Sequence, residues 1–281
     1  MRKKKLKDPL VWAGILFMVF LVLFAAFGPL IPTDGKSNPV LDSVAGVHLP
    51  YRSPHALLGT DEIGRSFLQR IAYGARISLF IGFVVQSINL IFGVFVGVVS
   101  AFAPKWIAMP VMRLTDGMFA FPDILLAILI IGVMGTVGNG IVPVIVALSI
   151  TGWPSVARLT KTQLATIKER EFVVAAKAAG APTSYLVMKH LLPQMSGILL
   201  AVSMIDLAGT ILSESTLSFL GIGVQLPTPS WGGLIGNARV QLNSYPTEII
   251  APCLILSLTV FSLNFIGDGL RAYLDPKSSN V

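Results

Sequence analysis

The sequence predicts an all-α, polytopic membrane protein with six transmembrane helices, and three observations carry that prediction. Hydrophobic residues make up 54% of the 281-residue chain and charged residues 12%, with a mean hydropathy of +0.77. A soluble domain carries roughly twice that share of charge. The apolar residues gather into six runs, most of them near the roughly 20 residues that cross a bilayer as a helix. The basic residues sit at the ends of those runs, so the net charge of +7 reads as membrane topology and gives no footprint for a nucleic acid.

In chain order, a basic cap over residues 1–7 precedes Pro9–Leu30, an apolar run of bilayer length. The run is longer than the apolar core of a cleaved signal peptide, about 7–15 residues, and reads as an uncleaved anchor with the N-terminus in the cytoplasm. Residues 31–76 are polar, rich in Pro, Gly and Ser, and form an extracytoplasmic segment. Within it Asp61, Glu62, Arg65, Arg70 and Arg76 mix both signs of charge, which suits intramolecular ion pairs or contact with a docking protein. The second span covers 77–102, where Gly93 and Gly97 have the spacing that lets two helices approach closely. A short turn at 103–110 leads to the third span, 111–134, which opens on Arg113, Asp116 and Asp123. Arg113 and Asp116 are spaced to pair on a helix, and Pro122 loosens the helix beside Asp123. Residues 135–140 form a turn, and 141–156 a shorter fourth span.

Residues 158–195 are a water-friendly island between apolar blocks. Thr166 and Glu169 have the capping-box spacing that starts a helix. Phe172, Ala175, Ala176 and Ala179 then share one helical face. Gly180 and Pro182 end that helix, and a second begins near Thr183 or Ser184 and runs into Leu191, Leu192 and Pro193. The small, smooth face would admit another protein's surface; without such a partner the segment is an ordinary cytoplasmic connector. The fifth span, 197–220, carries Asp206 and Glu214, eight residues apart and therefore expected on nearly one face. A carboxylate at mid-bilayer costs roughly 2.5–3.5 kcal/mol on insertion scales, so it faces the bundle or a wet cavity. Asp206, Glu214 and Asp116 are thus candidates to line a translocation pathway, the alternative being hydrogen bonds to neighbouring helices. Residues 221–248 form an external segment, 249–266 the sixth span, and 267–276 a polar tail.

Several chemistries find no residues here. The sequence has no G-x-x-x-x-G-K-[ST] phosphate loop, no H-E-x-x-H and no G-x-S-x-G, so neither ATP binding by a P-loop nor catalysis is expected of this chain. Its one cysteine, Cys253, excludes an intrachain disulfide, and His48, His55 and His190 have no metal-site spacing. With both termini in the cytoplasm, the cap, Lys105, Arg113, the island, Arg271 and Lys277 lie inside. Lys36, Arg52, Arg65, Arg70, Arg76 and Arg239 lie outside, and the basic excess is internal as topology requires.

Four stretches also resemble one family. Ala175-Ala176, Gly180 and Leu192-Pro193 resemble the "EAA…G…LP" loop of permease subunits from binding-protein-dependent ABC importers, although Val174 stands where the motif has glutamate. HALLGTDEIGRSFLQRIAYGARISL, residues 55–79, resembles the signature of the subfamily that serves dipeptides, oligopeptides and nickel, with Ser66 in place of its usual aspartate. Residues 213–235 and the ending GDGLRAYLDP agree with it as well. The resemblance implies the type I ABC importer permease fold in a bacterial inner membrane: residues 1–30 as N-terminus and first span, 31–76 extracytoplasmic, and 77–281 a core of five spans. It implies no cofactor in this chain, since ATP and Mg would sit on two partner ATPase subunits or domains. Glu169, Glu171, Phe172, Ala175, Ala176, Ala179, Gly180 and Ala181 would dock into such an ATPase. The other implied partners are a second, similar permease and an extracytoplasmic substrate-binding protein. Peptides are the implied cargo, with nickel complexes and glutathione-like compounds as alternatives. An ion-driven secondary transporter or a non-transporting scaffold would share the helices, but the transporter would need no docking loop.

Overall fold

The computed structural model describes residues 8–30, 46–52 and 56–274. The basic cap, Lys36, His55, Lys277 and the expectations attached to residues 31–45 lie outside these. The described residues form helices with no strand among them. Helix α1, Pro9–Phe27, starts because Asp8 accepts a hydrogen bond from the Leu10 N–H at 2.9 Å and Pro9 presets the first turn. It lies along α10, Thr247–Leu274, so closely that a Cβ on Gly14 would stand 2.9 Å from the Ser262 carbonyl oxygen. Leu16, Phe20 and Leu23 on its other side stay exposed, as suits a surface bathed in lipid tails.

Helix α2, Phe67–Phe102, is 36 residues long and begins ten residues before the expected start at 77, so the anticipated boundary between 76 and 77 falls inside it. Its early charges are answered within the chain. Arg70 faces Asp61, and Arg76 donates to the carbonyl oxygens of Ala25 and Ala26 in α1. Charged residues compensated in this way do not interrupt a helix.

The third span differs most from expectation. Lys105–Met118 (α3) and Asp123–Met134 (α4) are separate helices meeting at 92°. The expected turn at 103–110 is mostly helical, and Pro122 caps α4, where its fixed φ and missing N–H do no harm. The Arg113–Asp116 pair does not form: Arg113 is exposed, and Asp116 bonds Arg158 at 2.8 Å instead. Arg158 also lies 4.1 Å over the Phe119 ring, so it clasps the bend from across the bundle.

Helix α5, Ile141–Ile167, outruns the expected end at 156 and takes in Thr166 of the proposed capping box, so no helix starts there. Thr166 sits inside it, its hydroxyl bonded to the Thr162 carbonyl at 3.3 Å. Two short helices, α6 (Glu171–Ala178) and α7 (Thr183–Leu186), follow. A single π-helical turn, Val187–Leu191, then joins α7 to the long α8, Leu192–Phe219. The external stretch after α8 contains α9, Trp231–Val240, before α10. Among the described residues five helical stretches are long and apolar enough to cross a membrane, and the bent α3–α4 pair makes a sixth crossing when counted as one.

Five apolar clusters hold the described residues together, and three of them are the largest. One joins α2, α4 and α5 through Ile81, Val85, Ala127, Val144 and Leu217 of α8. A second places Trp231 among α1, α2, α8 and α10, and a third gathers the ends of α2 and α5 around the short helices. Helices α2 and α5 also meet closely. A Cβ on Gly93 would stand 2.6 Å from Val156 Cβ and 2.9 Å from the Trp153 carbonyl oxygen; on Gly97, 2.5 Å from Thr160 Cβ. The glycine pair performs the close approach its spacing suggests.

Gly97→Leu is therefore expected to lower stability by about 1–3 kcal/mol, the range for overpacking, with a clear fall in the unfolding temperature of the purified protein. Gly209→Ala, where nothing lies within 4 Å of the new Cβ, serves as the comparison and should hold or slightly raise that temperature.

Candidate coupling elbow and membrane carboxylates

The island folds as a helical elbow. Arg170, with extended backbone, precedes α6, and Glu171 sits in its first turn where a carboxylate suits the helix dipole. Glu169 stays outside the helix, exposed. The helix ends at Gly180, whose φ is +84°. The Ala181 N–H bonds the Ala176 carbonyl at 3.0 Å and the Gly180 N–H bonds Lys177 at 2.9 Å, the paired reversal that favours glycine at this position. Phe172, Ala175 and Ala179 are exposed, Ala176 and Ala181 are half-buried, and Phe172 and Val174 present an apolar surface that no described residue covers.

The residue that fastens the elbow is one the sequence reading passed over. Val173 is fully buried and packs with Leu164 and Ile167 of α5, the π-turn residues Val187 and Leu191, and Val94, Val98 and Phe102 of α2. Lys177 adds a cation–π contact, 5.7 Å from the centroid of Phe102. Val173 lies just before the small residues of the motif, and its apolar, β-branched side chain was the available signal. Through these contacts the elbow rests on the ends of three spans at once.

The three candidate carboxylates are not equivalent. Eight residues at 3.6 per turn leave Asp206 and Glu214 about 80° apart around the helix, enough to separate their surroundings. Asp206 is half-buried on the side of α8 that also carries the exposed Gly209 and the half-buried Ser213, a side the described residues cover only in part. No other side chain among the described residues bonds its carboxylate. Glu214 is fully buried. Ser78 of α2 and Ser218 of α8 each donate to it at 2.8 Å, with Ser215 at 3.4 Å, so it takes part in the helix-to-helix hydrogen bonding named as the alternative. Ser78 Oγ in turn accepts from the Trp231 N–H at 3.4 Å, and the indole N–H donates to the Ile71 carbonyl at 3.2 Å. One carboxylate thus knots α2, α8 and α9 together. Asp116, half exposed and paired with Arg158, lies at the α3–α4 bend.

Long tilted helices around a buried polar knot, with a helical elbow bridging two of them, make the permease fold of an ABC importer. Solved structures agree at the level of fold: two inward-facing crystal forms of the MetNI methionine ABC transporter match with TM-scores of 0.60 and 0.58 at 21% identity. They cover 74% and 72% of this chain and 97% and 95% of theirs. Residues 89–280 match the binding-protein-dependent transport system inner membrane component, and the chain belongs to that family. Among its relatives, the dipeptide transport system permease protein DppC of Alkalihalophilus pseudofirmus is 34% identical over 277 residues, 98% of this chain and 88% of the relative. The di/tripeptide transport system permease protein DppC of Pseudomonas aeruginosa is 36% identical over 270 residues, covering 95% and 88%. The oligopeptide transport system permease protein OppC of Bacillus subtilis is 34% identical, covering 96% and 86%. The protein is a multi-pass component of an inner membrane.

Glu214→Ala would leave the Ser78 and Ser218 hydroxyls without their acceptor, at about 1–3 kcal/mol for each buried group left unpaired. Thermal unfolding in detergent is expected to show a large loss for Glu214→Ala and a small one for Glu214→Gln, which keeps an acceptor oxygen.

Proposed function

We propose that this chain is one permease subunit of an ATP-driven importer of short peptides. The peptide class is that of its dipeptide, di/tripeptide and oligopeptide transport relatives, which cover nearly the whole chain. The mechanism is alternating access. Two cytoplasmic ATPases, holding ATP and Mg, close on each other and carry the elbow with them. A second, similar permease completes the pathway against the partly covered side of α8, and an extracytoplasmic binding protein delivers cargo at the far end. This arrangement puts both termini in the cytoplasm. The observation that carries the coupling role is the apolar face of Phe172 and Val174, exposed on a helix whose opposite side is locked by Val173. Glu169 and Glu171, exposed at the start of that helix, stand ready to pair with basic residues of the ATPase in place of the glutamate that Val174 replaces. Ala175, Ala176, Ala179, Gly180 and Ala181 keep the docking surface low.

Of the membrane carboxylates, we assign Asp206 to the pathway, because it stands on the partly covered side with its carboxylate unengaged by other side chains among the described residues. Asp116 would meet cargo only after parting from Arg158, and Glu214 would do so only if its serine knot opened.

Ala175→Trp adds bulk to the docking face without touching the Gly180 turn, and Gly180→Trp disrupts the turn itself. Both are expected to insert normally yet reduce ATP-dependent peptide uptake by roughly 5- to 150-fold, the usual span of a coupling free energy. Unchanged uptake in membranes containing the partner subunits would remove the docking role. Asp206→Asn should weaken uptake of cationic peptides by about tenfold, ~1.4 kcal/mol, and leave neutral peptides near wild type. Equal uptake of both classes by the variant and wild type would exclude Asp206 from the pathway.

A further inference from the structure

At the end of α2 farthest from the elbow, roughly 50 Å away at 1.5 Å per residue, a buried arginine borders a cavity, lined partly by polar residues and partly by Val224, Leu226 and Leu234, that the coupling mechanism leaves unused. We infer that Arg70 and the loop following α8 form a subsite for a carboxylate. On the peptide-import reading, on which the identity of the ligand rests, that group is the peptide's C-terminal carboxylate.

Arg70 is 1% exposed. Its Nε lies 3.3 Å from Asp61 Oδ2, and its Nη1 has no hydrogen-bond partner among the described residues. Asp61 is already heavily engaged. Its Oδ1 accepts the backbone N–H groups of Ile63 and Arg65 at 3.1 and 2.9 Å, and its Oδ2 takes Arg65 Nε at 2.7 Å. Arg70 therefore holds only the long side of a carboxylate that Arg65 occupies at close range. A buried guanidinium with unused donors is expensive to leave so, and a planar carboxylate is the group that fits its fork.

The surroundings give that carboxylate a place. Arg70 borders a cavity of about 200 Å³ together with Ser218, Gln225, Thr228, Ser230 and Asn237. A water takes about 30 Å³, so the space suits one terminal residue and not a protein segment. Its polar wall is prearranged. Ser218 is fixed between Glu214 and the Val224 N–H, and the Gln225 amide bonds the Gly221 and Gly223 carbonyls, so both are held by their own loop. The charged contact is left to Arg70. The cavity lies at the end where delivered cargo would arrive, so the subsite would orient a peptide by its terminus before the spans move.

The test uses the complete transporter purified with its partner subunits, as wild type, Arg70→Gln, Arg70→Lys and Gly233→Leu. The last variant fills the cavity without altering the arginine, since an added Cβ meets only Ser230 Oγ at 3.4 Å, and it carries the test if Arg70→Gln does not assemble. Thermal stability is measured with N-acetylalanine and with its neutral amide; uptake is measured with a tripeptide and its C-terminal amide. The acid but not the amide should stabilise wild type, Arg70→Lys should keep part of the effect, and Arg70→Gln and Gly233→Leu should lose it. Uptake of the free-acid peptide should fall about tenfold or more in Arg70→Gln, as for one lost charge-assisted contact, with amide uptake unchanged. Equal losses for acid and amide peptides, or no difference between the two small ligands in wild type, would overturn the subsite. Weaker docking of the binding protein in Arg70→Gln, whatever the cargo's terminus, would assign the carboxylate to that protein and overturn it too. Acid-specific, Arg70-dependent stabilisation in a wild-type complex that moves no peptide would keep the subsite and defeat the peptide reading.

Discussion

Everything in this bundle leans on the backbone-close contact between α2 and α5. Gly93 and Gly97 present bare backbone to Val156 and Thr160, so two of the longest helices meet without side chains to hold them apart. Inside a bilayer, helices gain little from hiding apolar surface, because lipid is as apolar as leucine, and association depends on close packing and hydrogen bonds. A small-residue seam supplies the first. The serine-bound carboxylate of Glu214 supplies the second, drawing α8 and the start of α9 onto the same α2 shaft. The two devices act at different depths, and between them they make α2 a continuous member from the Arg70 end to the elbow.

That continuity gives the elbow mechanical meaning. Val173 touches no solvent, and its neighbours belong to α2, α5 and the turn that starts α8. On the proposed docking, a push on Phe172 would be delivered to three membrane helices together. The small residues after it would let a partner come near the backbone while one bulky aliphatic residue bears the load. The Arg158 contact with Asp116 and Phe119 is a second connection, joining α5 to the α3–α4 bend.

Much of this was legible in the sequence because membrane physics limits the choices. Apolar length marks a span, a small-xxx-small spacing marks a seam, and Gly180 followed by Pro182 marks a helix stop; the seam and the stop appear where they were read, while α2 and α5 overrun their expected bounds and the third span is bent. The parts that were not legible depend on who sits across the bundle. Arg113 is spaced to pair with Asp116, yet Arg158 reaches it from 42 residues away. Thr166 and Glu169 have the right letters for a helix start, but the packing of Leu164 and Ile167 carries α5 through Thr166, and the next helix starts only at Glu171. Asp206 and Glu214 look alike on paper, and only the 80° between them, set by helix geometry, puts one in a serine knot and the other on a partly covered side. The right angle between α3 and α4 was read as a mild kink, because Pro122 announces a break without announcing its size.

The π turn at Val187–Leu191 gives the elbow its rotational phase. A turn of this kind holds one surplus residue compared with an ordinary helical turn, and it sits where the short α7 hands over to the long α8. Removing a single residue there would let the turn wind tight, and everything upstream would rotate by about 100° relative to the shaft. Val173 would swing away from its socket with no contact residue having been changed. The timing of this machine is thus kept partly by one extra peptide unit, much as a gear is kept in mesh by a single tooth.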